Sequence, residues 1–349
     1  MPTTPQPTDA PAQSESDLDL CLKELPNQYE ILGKVNEGGM GHIFRAQNRF
    51  TGAQVAIKVL RVESVRDRNA LERFINEAKA ASSLRHPNIC QVHDFGQTKS
   101  GMPYLVMDWI DGISLNQKVK RDSRLSANEA IPVFQQIAMA LDEAHKHRVV
   151  HRDLKPENIM LTRDAQGRTH VKVVDFGIAK VLAADEQTPV AVNLTRTGTV
   201  VGTPMYMSPE QARGLQIDCR TDVYSFGCLM YFAIVGEPPF VGPTVIDTLN
   251  KHLYDPPAEI DSAIKIPADL KMLMLKCMEK KVKHRYQSMD ELARELKKFA
   301  KGVDLDKHVL STERDSRRKK IMLFIYFVVG FILMYILSTV LQGLMDAHH

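Results

Sequence analysis

The sequence predicts an α+β fold of two lobes, a small β-rich N-terminal lobe and a helical C-terminal lobe, with one C-terminal transmembrane helix. Three observations carry that prediction. Short β-like runs separated by Gly-rich or polar turns fill residues 29–109. Beyond Gly112 the apolar residues recur at helical spacing. Residues 321–345 form a run of 25 residues without Asp, Glu, Lys, Arg or His. A length of 349 residues accommodates about two domain-equivalents or one large bilobed unit.

Composition narrows the function classes. Hydrophobic residues at 44% and charged ones at 25% exclude a mostly disordered chain. A net charge of +3 is too small for nucleic-acid binding by bulk electrostatics, so no nucleic-acid partner is expected. Cys21, Cys90, Cys219, Cys228 and Cys277 are scattered with no C-x-x-C pair, which reads as reduced thiols, neither a disulfide framework nor a zinc site.

Residues 1–28 carry Pro2, Pro5, Pro7 and Pro11 among Thr, Gln, Ser and Asp, a disordered and mildly acidic tail. They lack the basic and apolar regions of a secretory signal. A short Leu18, Leu20, Leu22, Leu25 patch could dock back on the compact domain. Strands are expected over residues 29–35, 42–47 and 54–60, then a helix with Leu71, Phe74, Ile75 and Ala78 on one face, then strands over 90–97 and 102–109. Helices are expected over 127–147, 222–235, 244–253, 268–278 and 289–300. No internal repeat is visible, and the compact region is bounded at residues 29–300. A basic linker, 301–320, precedes the apolar run. At 1.5 Å per residue that run reaches roughly 37 Å, enough to cross a hydrocarbon core of roughly 30 Å with tilt. Arg314, Arg317, Arg318, Lys319 and Lys320 stand before it, and residues 346–349 come after it as a short stub. The positive-inside rule then places the long N-terminal part in the cytoplasm of a single-pass protein. The basic stretch is also suited to anionic headgroups of the bilayer. Thr339 and Gly343 have the small-x-x-x-small spacing that admits a homodimer.

The first chemical candidate is Val35-Asn36-Glu37-Gly38-Gly39-Met40-Gly41-His42-Ile43, between two expected strands. Glycines there let backbone N–H groups approach phosphates. Alone it is a weak signal, because a Gly-rich hairpin is usually only a turn. Because it precedes a strand, it is not the dinucleotide-binding arrangement, whose glycines open a helix. The next strand ends Val55-Ala56-Ile57-Lys58, and a lysine on a buried strand needs a partner. Glu77, flanked by Ala78 and Ala81 on the following helix, is the candidate.

His151-Arg152-Asp153-Leu154-Lys155-Pro156-Glu157-Asn158 then has the H-R-D-L-x-x-x-N spacing, with Asp175-Phe176-Gly177 following 22 residues after Asp153. With the Gly loop, Val-Ala-Ile-Lys and Ser208-Pro209-Glu210 in the same order, the chain resembles the eukaryotic-like (Hanks-type) Ser/Thr protein kinases, bacterial members most of all. The resemblance covers about residues 29–300. It implies ATP and Mg²⁺ as cofactors, with Mn²⁺ an alternative, and protein substrates bearing Ser or Thr.

By that resemblance Lys58, held by Glu77, grips the α- and β-phosphates. Asp175 binds one Mg²⁺ and Asn158 a second. Asp153 orients the acceptor hydroxyl and takes its proton, and Lys155 neutralises the γ-phosphate. Val35, Ile43, Ala56 and Met160 sandwich the adenine. Met107 is the gatekeeper, and Asp108, Trp109 and Ile110 form the hinge. Lys155 and Thr203 point to Ser/Thr acceptors. Arg152 is available to a phosphate on the activation segment, where Thr195, Thr197 and Thr199 stand, and autophosphorylation is expected there, at Thr197 or Thr199 foremost. Glu210 with Arg285, and Asp222, have structural roles.

One departure is Asn36, where the family has its first loop glycine. Asn tolerates positive φ, so the hairpin is expected to survive with a less adaptable lid. The expectation is an active plasma-membrane kinase with a cytoplasmic catalytic domain. The alternatives are a catalytically silent kinase-like scaffold at the membrane and a small-molecule kinase of the same fold. The complete Lys58, Glu77, Asp153, Asn158, Asp175 set and the full activation segment weigh against both.

Overall fold

A computed structural model describes residues 21–38, 41–60, 68–177 and 204–300. The expected activation-segment threonines, Thr203, Gly39, Met40, the basic linker and the apolar run lie outside the described residues.

Five antiparallel strands build the first lobe: β1 (Tyr29–Gly38), β2 (Gly41–Asn48), β3 (Gln54–Leu60), β4 (Val92–Gln97) and β5 (Pro103–Asp108), in the order β1-β2-β3-β5-β4. Side chains alternate across a strand, so both faces of this sheet are apolar and both must be covered. On one face Ala56 and Leu60 of β3 and Leu105 and Met107 of β5 meet Phe74, Ala78 and Ala81 of helix α1 (Arg68–Ser83). On the other, Phe44, Val55, Ile57, Val59, Tyr104 and Val106 are closed over by Cys21 and Leu25. Residues 21–24 are helical, and the Ser100 backbone N–H donates to Glu24 Oε2 at 2.7 Å. Residues 21–25, expected to lie in the disordered tail, instead pack here, because the apolar side chains of Cys21 and Leu25, four residues apart, fill an otherwise exposed sheet face.

A two-residue strand, β6 (Ile113–Ser114), leads into α2 (Leu115–Asp122), and α3 (Ala127–Lys146) follows. Both helices begin with a Ser capping box, Ser114 with Gln117 and Ser126 with Glu129. β6 pairs with β7 (Ile159–Arg163) and β7 with β8 (Thr169–Val173), a small antiparallel sheet that the sequence reading did not foresee. Then come a short α4 (Pro209–Ala212), α5 (Cys219–Val235), α6 (Val245–Tyr254), α7 (Ala268–Cys277) and α8 (Met289–Ala300). Helix α5 starts three residues before the expected Asp222 because Asp218 caps it, accepting from the Arg220 N–H at 2.8 Å. It is apolar around most of its circumference and is buried to match.

The lobes are pinned at the segment between α1 and β4. Cys90 N–H donates to the Val173 carbonyl at 2.9 Å and Val173 N–H to the Asn88 carbonyl at 2.8 Å. The buried Asn88 amide nitrogen donates to the Val171 carbonyl and to Gln136. β8 is thereby fixed to the first lobe just before Asp175.

Candidate active site

Lys58 sits on the helix-facing side of β3, opposite Ile43 of β2 and Leu105 of β5. It is 7% exposed, so its ammonium must be paired. Its partner is Asp175, whose Oδ2 accepts from Nζ at 2.7 Å. Glu77, expected to hold Lys58, does not: its Oε1 lies 3.3 Å from the Arg152 guanidinium instead. Two cation–carboxylate pairs thus form, Lys58 with Asp175 and Arg152 with Glu77. Here α1 delivers Glu77 to the catalytic loop and leaves Lys58 to Asp175. A small apolar cavity lined by Ala81, Cys90, Val92, Met107 and Phe176 lies beside that helix.

The catalytic loop hangs on Asp222, which is fully buried at the start of α5. Its carboxylate accepts the His151 N–H at 2.8 Å and the Arg152 N–H at 3.0 Å, with His145 Nε2 at 2.7 Å. Burial pushes the Asp222 carboxyl up, but the His145 contact, with the charge and N–H groups of the loop, outweighs it and leaves the pKa below the usual value. From Gln211 the amide nitrogen donates to the Arg152 carbonyl at 2.8 Å. These bonds hold Arg152 at φ +62°, and Asp175 stands at φ +58°. Two non-glycine residues in the left-handed region, both at the cleft, are strain that the surrounding bonds sustain. Gly177 follows with its N–H on the His151 carbonyl at 2.9 Å, and a Cβ there would come within 2.7 Å of that oxygen.

Asp153, Lys155 and Asn158 converge. Lys155 Nζ lies 3.0 Å from Asp153 Oδ2. The Asn158 amide nitrogen donates to the Asp153 carbonyl at 2.8 Å, which leaves its own carbonyl oxygen as a free acceptor. Hard oxygen donors of this kind, with the second oxygen of Asp175, fit Mg²⁺. Asp153 and Lys155 border a small cavity that Tyr206, Met207 and Gln211 also line.

The residues expected to take the nucleotide lie on β1, β2, β3, β5, the segment after β5 and β7. Ala56 stands opposite Met107 in the sheet, and Ile43, Trp109 and Ile110 pack on the same apolar cluster. Met160 lies in β7, opposite Ser114. Val35, expected on the adenine side of the lid, is half exposed. Gly41 has φ +148°, and a Cβ on it would fall 2.1 Å from the Val59 carbonyl oxygen. Asn36 needs no positive φ: it lies in β1 at a register irregularity and its Oδ1 accepts the Glu37 N–H at 2.8 Å. The Asp108 side chain is engaged by His93 Nε2 at 2.8 Å, the Gln91 N–H at 3.1 Å and Lys172 at 3.4 Å.

Glu210 and Arg285 form a buried bidentate pair at 2.7 and 2.9 Å, with Thr221 donating to the same carboxylate. His145 and Tyr206 are not marked by any sequence motif, and Met207 and Gln211 stand in one without a role assigned to them. Nor is Arg45 marked, whose guanidinium lies 4.9 Å from the Trp109 ring. His145 had one signal, its place at the end of α3 six residues before His151. The others act through tertiary neighbours that no local pattern reveals.

The family model described as the protein kinase domain matches residues 29–296. The chain is similar to the serine/threonine-protein kinase PknB of Mycolicibacterium smegmatis, 36% identical over 300 residues, covering 84% of this chain and 47% of that protein. It is also similar to the serine/threonine-protein kinase pkn3 of Myxococcus xanthus, 38% identical over 277 residues, 78% of this chain and 50% of that one. Among solved structures the kinase domain of Mycobacterium tuberculosis PknI, a double mutant, superposes with a TM-score of 0.61 at 25% identity, covering 78% of this chain and 95% of the other. The chain spans about half the length of the curated relatives it matches.

Proposed function

This chain belongs to the protein kinase domain family of the bacterial serine/threonine type, and on that premise we propose that it transfers the γ-phosphate of ATP to Ser and Thr hydroxyls of proteins. The observation that carries the proposal is the convergence of Asp153, Lys155 and Asn158 beside a small cavity that Tyr206 and Met207 also line. Phosphoryl transfer passes through a loose transition state, so positioning and charge neutralisation do most of the catalysis. An acceptor hydroxyl entering there meets the Asp153 carboxylate, which orients it and takes its proton. Lys155, 3.0 Å from Asp153, carries positive charge to the transferring phosphoryl group. Lys58 grips the nucleotide's α- and β-phosphates once it leaves Asp175. Asp175 and Asn158 would hold Mg²⁺, which when bound neutralises phosphate charge. The test is phosphoamino-acid analysis of casein incubated with the full chain, ATP and Mg²⁺. Phosphoserine and phosphothreonine, absent with Asp153→Asn, are expected; phosphotyrosine alone, or no phosphate, contradicts the reading.

The ion pairs support a proposal for activation. With Lys58 on Asp175 and Glu77 on Arg152, both the phosphate grip and the metal-binding carboxylate are engaged elsewhere. A phosphate on Thr195, Thr197 or Thr199 competes with Glu77 for Arg152, and a released Glu77 can take Lys58 and free Asp175. The apolar run at 321–345 and the basic residues before it support single-pass anchoring with the catalytic domain in the cytoplasm, and the Thr339 and Gly343 spacing supports a homodimer. Among the described residues no helix is long and apolar enough to cross a membrane.

A further inference from the structure

Lys280 lies in the connection after α7, away from the catalytic cleft, and its surroundings are unusual for a lysine. Its Nζ donates to the Lys251 carbonyl in the last turn of α6 at 3.2 Å and to the Tyr224 hydroxyl of α5 at 3.3 Å. The same ammonium stands 3.9 Å from the Phe240 ring centroid and 5.7 Å from that of Tyr224. Tyr224 passes the connection on, its hydroxyl 2.9 Å from Nδ1 of the fully buried His252. His252 belongs to α6, and its surroundings include the backbone of Pro204 and Met205. Helix α6 packs directly on the turn Pro204–Tyr206, and Leu249 of α6 packs with Met207 and Ala212. One ammonium therefore ties α5, α6 and the Phe240 segment together beneath residues that line the cavity beside Asp153.

We propose that Lys280 is a positioning residue for the protein acceptor: its ammonium holds α6 against residues 204–207 and so sets the lining of the cavity beside Asp153. The proposal rests on the reading that protein hydroxyls are the acceptors. It assigns Lys280 no contact with ATP or with the reacting atoms. The groups facing it are Tyr224 and Cys228 from α5, the Lys251 carbonyl, His252 and Asp255 from α6 and its end, and Glu279 and Arg285 from its own segment. Burial brings its pKa down to about 8, with Cys228, Asp255 and Glu279 opposing and Arg285 assisting. The cation that makes the contacts is thus present at pH 7 and lost above about 8. Deprotonation removes the cation–π contact and weakens the bond to the helix end.

The experiment measures KM for dephosphorylated casein and Kd for ATP with Mg²⁺, from pH 7 to 9, on the full chain in lipid nanodiscs. Wild type is compared with Lys280→Met and Lys280→Arg. Lys280→Met is expected to hold the casein KM, at every pH, about tenfold above the wild-type value at pH 7, the scale of one charge-assisted hydrogen bond. Wild type should rise towards that value with a midpoint near pH 8, while Lys280→Arg, charged throughout, shows no such limb. ATP Kd should be alike in all three. A casein KM unchanged in Lys280→Met overturns the proposal, as does the same basic limb in wild type and Lys280→Arg, or a parallel loss of ATP affinity. If Lys280→Met does not fold, the comparison of wild type with Lys280→Arg decides alone. Absence of casein phosphorylation by wild type that still binds ATP would overturn the protein-acceptor reading, and Lys280's role with it.

Discussion

At the scale of single residues the cleft asks for different losses from different substitutions. Asp153→Asn removes the proton acceptor while keeping the side chain's shape, so the turnover number should fall about 10²–10⁴-fold with ATP Kd little changed. The reverse split, weak ATP binding with normal turnover, would mean that Asp153 does not face the acceptor. Trp109, the single tryptophan, lies under Arg45 in the expected hinge, so its emission should change when ATP binds, and Arg45→Ala should alter the unliganded spectrum. A titration showing no spectral change on saturation would place the nucleotide elsewhere. The chemical residues were legible because each lies in a short motif at fixed spacing. Which cation pairs with which carboxylate was not. Lys58, Glu77, Arg152 and Asp175 are separated by up to 117 residues, and the pairing is set by the tertiary fold. The left-handed backbone of Arg152 and Asp175 was equally hidden, since nothing in either side chain requires it.

At the scale of elements, the β1–β2 hairpin and α6 make the most specific demands. Gly41→Ala puts a Cβ into the Val59 carbonyl and forces an L residue to φ +148°, a cost of about 1–3 kcal/mol. Thermal unfolding should register that loss, and ATP Kd should rise if the hairpin acts as the phosphate lid proposed for it. Helix α6 carries a pH signature. Burial, with the Lys280 charge beside it, brings His252 from 6.5 to about 3. The unfolded chain then takes up a proton that the folded one refuses. Stability from this group is whole above about pH 6.5 and falls towards pH 3 by up to about 1.4 kcal/mol per pH unit. Denaturant midpoints across that range should show a flatter slope in His252→Gln, and equal slopes would refute the assignment. The strands and long helices were largely readable from apolar periodicity. The three-stranded sheet β6–β8 and the turn at 21–24 were not, because runs of two to five residues are too short to show a clear period. Cys21, read only as one scattered thiol, is a fully buried plug of the sheet's outer face.

At the scale of the whole molecule, one buried pair joins distant parts of the helical lobe, and the apolar run is expected to set where the domain works. Arg285→Ala strands the Glu210 carboxylate in the interior and should cost about 3–5 kcal/mol, read as a lowered unfolding free energy. Carbonate extraction of cells expressing the chain should leave it in the membrane pellet, and a chain ending before Arg314 should be released; release of both would remove the anchor. The central claim is that this constellation transfers phosphate. It is tested most directly by the intact mass of the dephosphorylated full chain in nanodiscs after incubation with ATP and Mg²⁺, beside Asp153→Asn. Whole phosphate increments in the wild type alone, mapping to Thr195, Thr197 or Thr199, are the predicted result. No increment in a chain that binds ATP and yet leaves casein unmodified would contradict the account and make the protein a silent kinase-like scaffold.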